Sequence, residues 1–79
     1  MELNDFLRKF EYAIEDVEPN SVDADLDFQN NLEQWDSLAA MTLLAMIDNE
    51  YDVVLTGEEL ISCKTVNELF ELIKSKSNK

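Results

Sequence analysis

The sequence predicts an all-α fold, a small four-helix bundle of three main helices and one short one, with a long loop between helices one and two. Three observations carry this. Apolar residues recur at helical spacing near both ends of the chain, a nearly continuous apolar run fills the middle, and capping residues stand where the segments open.

Helix one is read from Leu3, Phe6, Leu7, Phe10, Ala13, Ile14 and Val17, which fall at the i, i+3, i+4, i+7 spacing of a single face. Asn4 or Asp5 can cap it, and Pro19 ends it by holding Glu18 out of the helical region. Residues 18–36 follow with Pro19, Asn20, Ser21, Asp23, Asp25, Asp27, Asn30 and Asn31 and no sustained period. They read as a loop pinned by apolar anchors, with Phe28 and Leu32 plugged into the core. A loop of this length in a small domain is usually functional.

Asp36 is a good N-cap for the next helix, in which only Thr42 is polar between Leu38 and Ile47 before Asp48-Asn49-Glu50-Tyr51 closes it. One apolar stripe would suffice for a surface helix. The surplus among Ala39, Ala40, Met41, Leu44, Ala45 and Met46 must therefore meet another surface or stay exposed, and Met41 and Met46 suit an adaptable contact. After an extended Val53–Leu55 segment, Thr56-Gly57-Glu58-Glu59 has the layout of a capping box and opens a short helix through Ile61. Thr65-Val66-Asn67-Glu68 repeats the layout. The last helix sets Val66, Leu69, Phe70 and Ile73 on one face and Lys74 and Lys76 near its negative end, with a frayed Ser77-Asn78-Lys79 tail.

The 79 residues are expected to form one domain, and 46% apolar content spread along the chain supports a core. A formal charge of -12 disfavours nucleic acid and anionic membranes and favours partners with basic patches. No run is long enough to cross a bilayer. The lone Cys63 and the absence of a signal-peptide layout point to the cytoplasm.

Enzyme chemistry finds little support. Without histidine, a Ser-His-Asp or Cys-His arrangement cannot form, and Cys63 has only Lys64 beside it as an activating cation. Asp23, Asp25 and Asp27 resemble the first ligands of a calcium-binding loop, but Phe28 stands where glycine is needed and Gln34 where the bidentate glutamate belongs. A solvated acidic loop is the better reading, and no metal site is expected. A serine after an aspartate cap, such as Ser37, is by itself ordinary helix-start chemistry. Its company sets it apart: a long loop delivers it and an oversupplied apolar helix follows it.

In this setting the chain resembles the acyl carrier proteins and related phosphopantetheine-attachment domains over nearly its whole length. The resemblance rests on Asp36-Ser37-Leu38, on Leu43 and Ile47, on Asp48-Asn49-Glu50-Tyr51, on the Asp52–Glu59 segment and on Thr65-Val66. It implies a non-catalytic, monomeric carrier for lipid or secondary-metabolite biosynthesis. Ser37 would receive a 4'-phosphopantetheine arm from coenzyme A through a separate phosphopantetheinyl transferase. Acyl cargo would travel on that arm as a thioester between loading and using enzymes with basic docking patches. By the same resemblance, Asp36, Leu38, Met41 and Asp48 would meet partners, while Ile47, Leu55, Leu60 and Cys63 would wall an acyl pocket that bulk at Leu60 shortens.

Departures from the family pattern concern partner choice. Ala39 and Thr42 stand where fatty-acid-synthesis carriers commonly have acids, and Trp35 replaces a small residue, either as a loop anchor or as a partner contact. These imply a specialised member. Aminoacyl or peptidyl carriage, or an unmodified helical interaction domain, are the alternative readings.

Overall fold

Apolar periodicity folds the chain as expected at the level of class. The computed structural model describes residues 2–77 and contains helices α1 (Leu3–Ala13), α2 (Phe28–Asn31), α3 (Ser37–Tyr51), α4 (Gly57–Ser62) and α5 (Val66–Ser77), with no strand among the described residues. Helices α1, α3 and α5 pack against one another. Phe6, Phe10, Leu43, Ile47, Leu69 and Ile73 interlock between them, all fully buried. Four of the five helices are those read from the sequence. The fifth, α2, is a single turn inside the long loop.

Capping fixes most boundaries. The Asp36 carboxylate accepts the Ala39 N–H at 2.8 Å and starts α3, and Asp52 ends that helix in the left-handed region at φ 56°. At α4 the predicted box is complete, since Thr56 Oγ1 accepts from Glu59 N–H and the Glu59 carboxylate accepts from Thr56 N–H. For α5 every orphan amide of the first turn finds an acceptor. Val66 and Asn67 donate to the loop carbonyls of Leu26 and Ala24, while Glu68 and Leu69 donate to Thr65 Oγ1 and O. Of the tail expected to fray, Ser77 ends α5, whereas Asn78 and Lys79 lie outside the described residues.

Helix α1 departs from the expectation at both ends. Glu2 occupies its N-cap without a side-chain bond, so Asn4 and Asp5 lie within the helix. It stops at Ala13 rather than Val17, because Ile14 is extended and Asp16 is left-handed at φ 65°. The physical reason is Glu11. This carboxylate shares the buried face with Leu7, is only 5% exposed, and accepts the N–H groups of Asn20 and Val22 at 2.9 and 2.8 Å. Arg8 completes the clasp by donating to Asn20 Oδ1 and Val22 O. Folding the loop back onto α1 outweighs four more helical residues, because it satisfies a buried charge that would otherwise be costly.

The rest of the long loop is sewn down in the same way. Its Val22 and Phe28 are buried, and Leu32 is half-buried against the core. Gln29 donates to the carbonyls of Leu60 and Cys63 at the end of α4, at 2.9 and 3.1 Å. The radius of gyration, 11.3 Å, matches the value of about 11.6 Å expected for a chain of this length, so the loop is wrapped onto the helices rather than projecting from them.

Candidate functional site

An aromatic line leads to the site. Ring centroids of Phe6 and Phe10 are 6.3 Å apart, those of Phe10 and Phe28 5.6 Å, and those of Phe28 and Trp35 4.9 Å. Trp35 Nε1 also donates to Gln29 Oε1 at 3.2 Å. Of its two candidate roles, Trp35 takes that of loop anchor. Its ring and its polar tip are both engaged inward, which holds the backbone two residues before Ser37.

Ser37 is the first residue of α3 and is exposed. Asp36, which caps the helix, turns its carboxylate to Ala39, so the cap is spent on the backbone beside the serine hydroxyl. Intrahelical bonding leaves the Ser37 and Leu38 amides without partners, and the helix dipole makes this end positive. A phosphodiester on Ser37 Oγ is favoured there, with Asp36 opposing it in part. A cleft of about 390 Å³ opens between the end of α1 and the start of α3, and both residues flanking Ser37 line it. An exposed hydroxyl on a capped first turn, with room beside it for an organic chain, fits a phosphate-linked arm.

Down the outer face of α3, Leu38 and Met41 are 65% and 67% exposed, followed by exposed Ala45 and Asp48. Spacings of three, four and three align them on one stripe. Of the candidate partner contacts, Leu38, Met41 and Asp48 therefore lie on one open stripe, and Asp36 stands exposed at the N-cap of the same helix, outside that stripe. Met46, by contrast, packs against the core and is only half-buried. Thr42 is exposed, and its hydroxyl returns to the Leu38 carbonyl at 3.0 Å.

Ile47, Leu55, Leu60 and Cys63 come together as buried members of the core cluster. None of them lines the cleft beside Ser37. Burial pushes the Cys63 thiol above its ordinary pKa, which disfavours the nucleophilic thiolate, and the side chain packs in the core. In the acidic loop, Asp27 caps α2 by accepting the Asn30 backbone N–H, and a second bond, from the Asn30 side-chain amide at 3.0 Å, is the main cause of its lowered carboxyl pKa. Asp23 accepts the Asp25 N–H at 3.1 Å. Among the described residues no group of three or more His, Cys, Asp or Glu side chains is placed to hold a metal ion. No described helix is long and apolar enough to cross a membrane.

Sequence reasoning missed Gln29, which ties α2 to α4 and to Trp35, and the Arg8–Glu11 clasp. Glu11 had a signal, since it falls four residues after Leu7 and three before Ile14, inside the apolar stripe of α1. Nothing in the sequence marked Gln29.

A helical domain that presents one serine at the head of an open helix has the form of a carrier of a covalently attached group. Comparison with protein families matches residues 13–73 to the phosphopantetheine attachment site family, and the chain belongs to that family. Its members carry a 4'-phosphopantetheine prosthetic group and are generally non-catalytic carriers, which meet a phosphopantetheinyl transferase and partner enzymes. No curated protein matches the chain, and no solved structure does.

Proposed function

We propose that this chain is an acyl carrier protein, a single cytoplasmic and monomeric domain whose working residue is Ser37. The observation that carries the reading is the exposed Ser37 hydroxyl at the capped start of α3, within the matched family region and at the head of the open Leu38–Met41 stripe. In the modification step Ser37 Oγ attacks the coenzyme A phosphorus that bears the pantetheine. A new O–P bond forms, the bridging P–O bond to the second phosphorus breaks, and adenosine bisphosphate leaves. The hydroxyl proton passes to a base of the transferase, because this chain has no histidine to receive it. When bound, the arm supplies a terminal thiol that holds cargo as a thioester.

The chain's own contribution is presentation. Asp36 fixes the helix start, Trp35 and Phe28 hold the loop, and Leu38, Met41 and Asp48 offer a mixed apolar and acidic face to enzymes with basic docking patches. Ala39 is buried and Thr42 is exposed, so of the two departures from the fatty-acid-synthesis pattern only Thr42 changes the surface a partner reads.

Isolating the protein from its native cell and identifying the group on the Ser37 peptide by mass spectrometry tests this reading. An acyl thioester on the arm is expected. An aminoacyl group would transfer the chain to the aminoacyl carriers, and bare serine under all growth conditions would favour an unmodified interaction domain.

A further inference from the structure

The cleft beside Ser37 is unassigned by the carrier reading. It lies on the α1 side of α3, away from the packed core residues Ile47, Leu55, Leu60 and Cys63. Asp36, Leu38 and Thr42 form one wall, and Ala13 and Asp16 form the other. Gln34 joins the two walls, its Nε2 donating to the Asp16 carbonyl at 3.0 Å. The space exists because α1 stops at Ala13 and the chain turns through the left-handed Asp16.

The lining selects its occupant by chemistry. Its charged members, Glu15, Asp16 and Asp36, are all acids, so free anions are repelled. A neutral chain rich in N–H and O–H donors, with a branched apolar group, is accepted. The proximal half of pantetheine has this character: a geminal dimethyl group, a hydroxyl and an amide. Leu38 and Ala13 offer apolar contact to the methyls, and the Asp36 and Asp16 carboxylates, Gln34 and Thr42 offer acceptors. At about 390 Å³ the cleft falls within the range of small-ligand sites. Attachment at Ser37, between two lining residues, makes binding intramolecular and so allows a weak contact to be populated.

Building on the assignment of Ser37 as the attachment point, we propose that the arm rests with its pantoyl and first amide groups in this α1–α3 cleft, rather than running into the core. The arm is thereby parked beside the partner-facing stripe of α3, and a docking enzyme must lift it out to reach the thiol.

The test compares isotope-labelled apo protein with protein modified by coenzyme A and a broad-specificity transferase, with modification followed by mass and the arm located by NMR. Expected are nuclear Overhauser contacts from the geminal methyls to Leu38 and Ala13, and shifts at the Gln34 side-chain amide and at Thr42. Ala13→Leu, which fills the cleft from the wall opposite α3, should be modified as wild type yet lose those contacts. Fully modified wild type whose methyl contacts fall on Leu55, Leu60 or Cys63, or on no protein group, would overturn the resting site and leave the attachment reading intact. Contacts that persist unchanged in Ala13→Leu would do the same. Absence of any mass gain would overturn both at the first step.

Discussion

Ser37 owes its presentation to Asp36. The aspartate satisfies the Ala39 amide, and removing it leaves that donor unpaired at the very turn that carries the serine. Asp36→Ala should therefore cost about 1 kcal/mol in urea unfolding, whereas Ser37→Ala, at an exposed site, should stay within about 0.5 kcal/mol of wild type. Such a result separates a structural aspartate from a serine that the fold does not need. Gln29 lies deeper in the architecture. It donates to the carbonyls of Leu60 and Cys63 and accepts from Trp35. Leu60 O keeps the Cys63 N–H, so Gln29→Leu strands the Cys63 carbonyl and the Trp35 indole N–H. A loss of about 1–3 kcal/mol is expected, the cost of leaving buried polar groups unsatisfied, together with a shift in Trp35 fluorescence as its indole loses its acceptor.

Helix α3 divides its residues between two tasks. Ala39, Leu43 and Ile47 face the core, and Leu38 and Met41 face solvent. Met41→Ala should consequently leave stability within about 0.5 kcal/mol. Its effect should fall on partner binding instead, where removing an adaptable apolar contact at the centre of a docking face typically weakens the complex by tenfold or so, about 1.4 kcal/mol. Titration calorimetry with a loading enzyme checks the second half and urea unfolding the first.

The same helix shows what the sequence could disclose. Its cap, its ends and its apolar surplus were all legible, as were the Thr56–Glu59 box and the buried face of α5, because each depends on residues within a turn or two of one another. The end of α1 was not legible. Its periodicity continues to Val17, but the interaction that stops it joins Glu11 to Asn20 and Val22 across the loop. Helix α2 escaped for a related reason. One turn has too few residues to display a period, and Phe28 reads equally well as a loop anchor. Ser37 stands out by family resemblance and setting, which support its proposed role, while the cleft beside it, assembled from residues 13–16 and 34–42, has no local signature.

Across the whole molecule, net charge works against the buried core. With eighteen acids against six bases, repulsion opposes the compact state. Melting temperature should rise with added divalent cation and also with monovalent salt, and scanning calorimetry across a salt series measures this. A response to trace calcium with none to salt would instead indicate a dedicated site in the Asp23–Asp27 loop. Among the described residues the ion pairs Arg8–Glu11, Lys9–Asp5, Lys9–Glu50 and Lys76–Glu59 run against the general repulsion. Lys76 Nζ lies 2.7 Å from Glu59 and joins α5 to α4, and this hydrogen bond, followed by that from the Thr56 amide, lowers the Glu59 carboxyl pKa. A carboxyl that is more acidic when folded stabilises the native state fully above the ordinary carboxylate range, and loses that contribution as pH falls through its lowered value. Glu59→Gln should thus be less stable than wild type near neutral pH, with the difference closing as pH falls below the ordinary carboxylate range.

All of these properties serve a carrier domain whose proposed attachment point is Ser37. Purified protein is incubated with coenzyme A, magnesium and a broad-specificity phosphopantetheinyl transferase, then weighed by intact-mass spectrometry beside Ser37→Ala. Wild type should gain the mass of one phosphopantetheine and Ser37→Ala should gain none. No gain on wild type, or an equal gain on the alanine variant, would contradict the assignment.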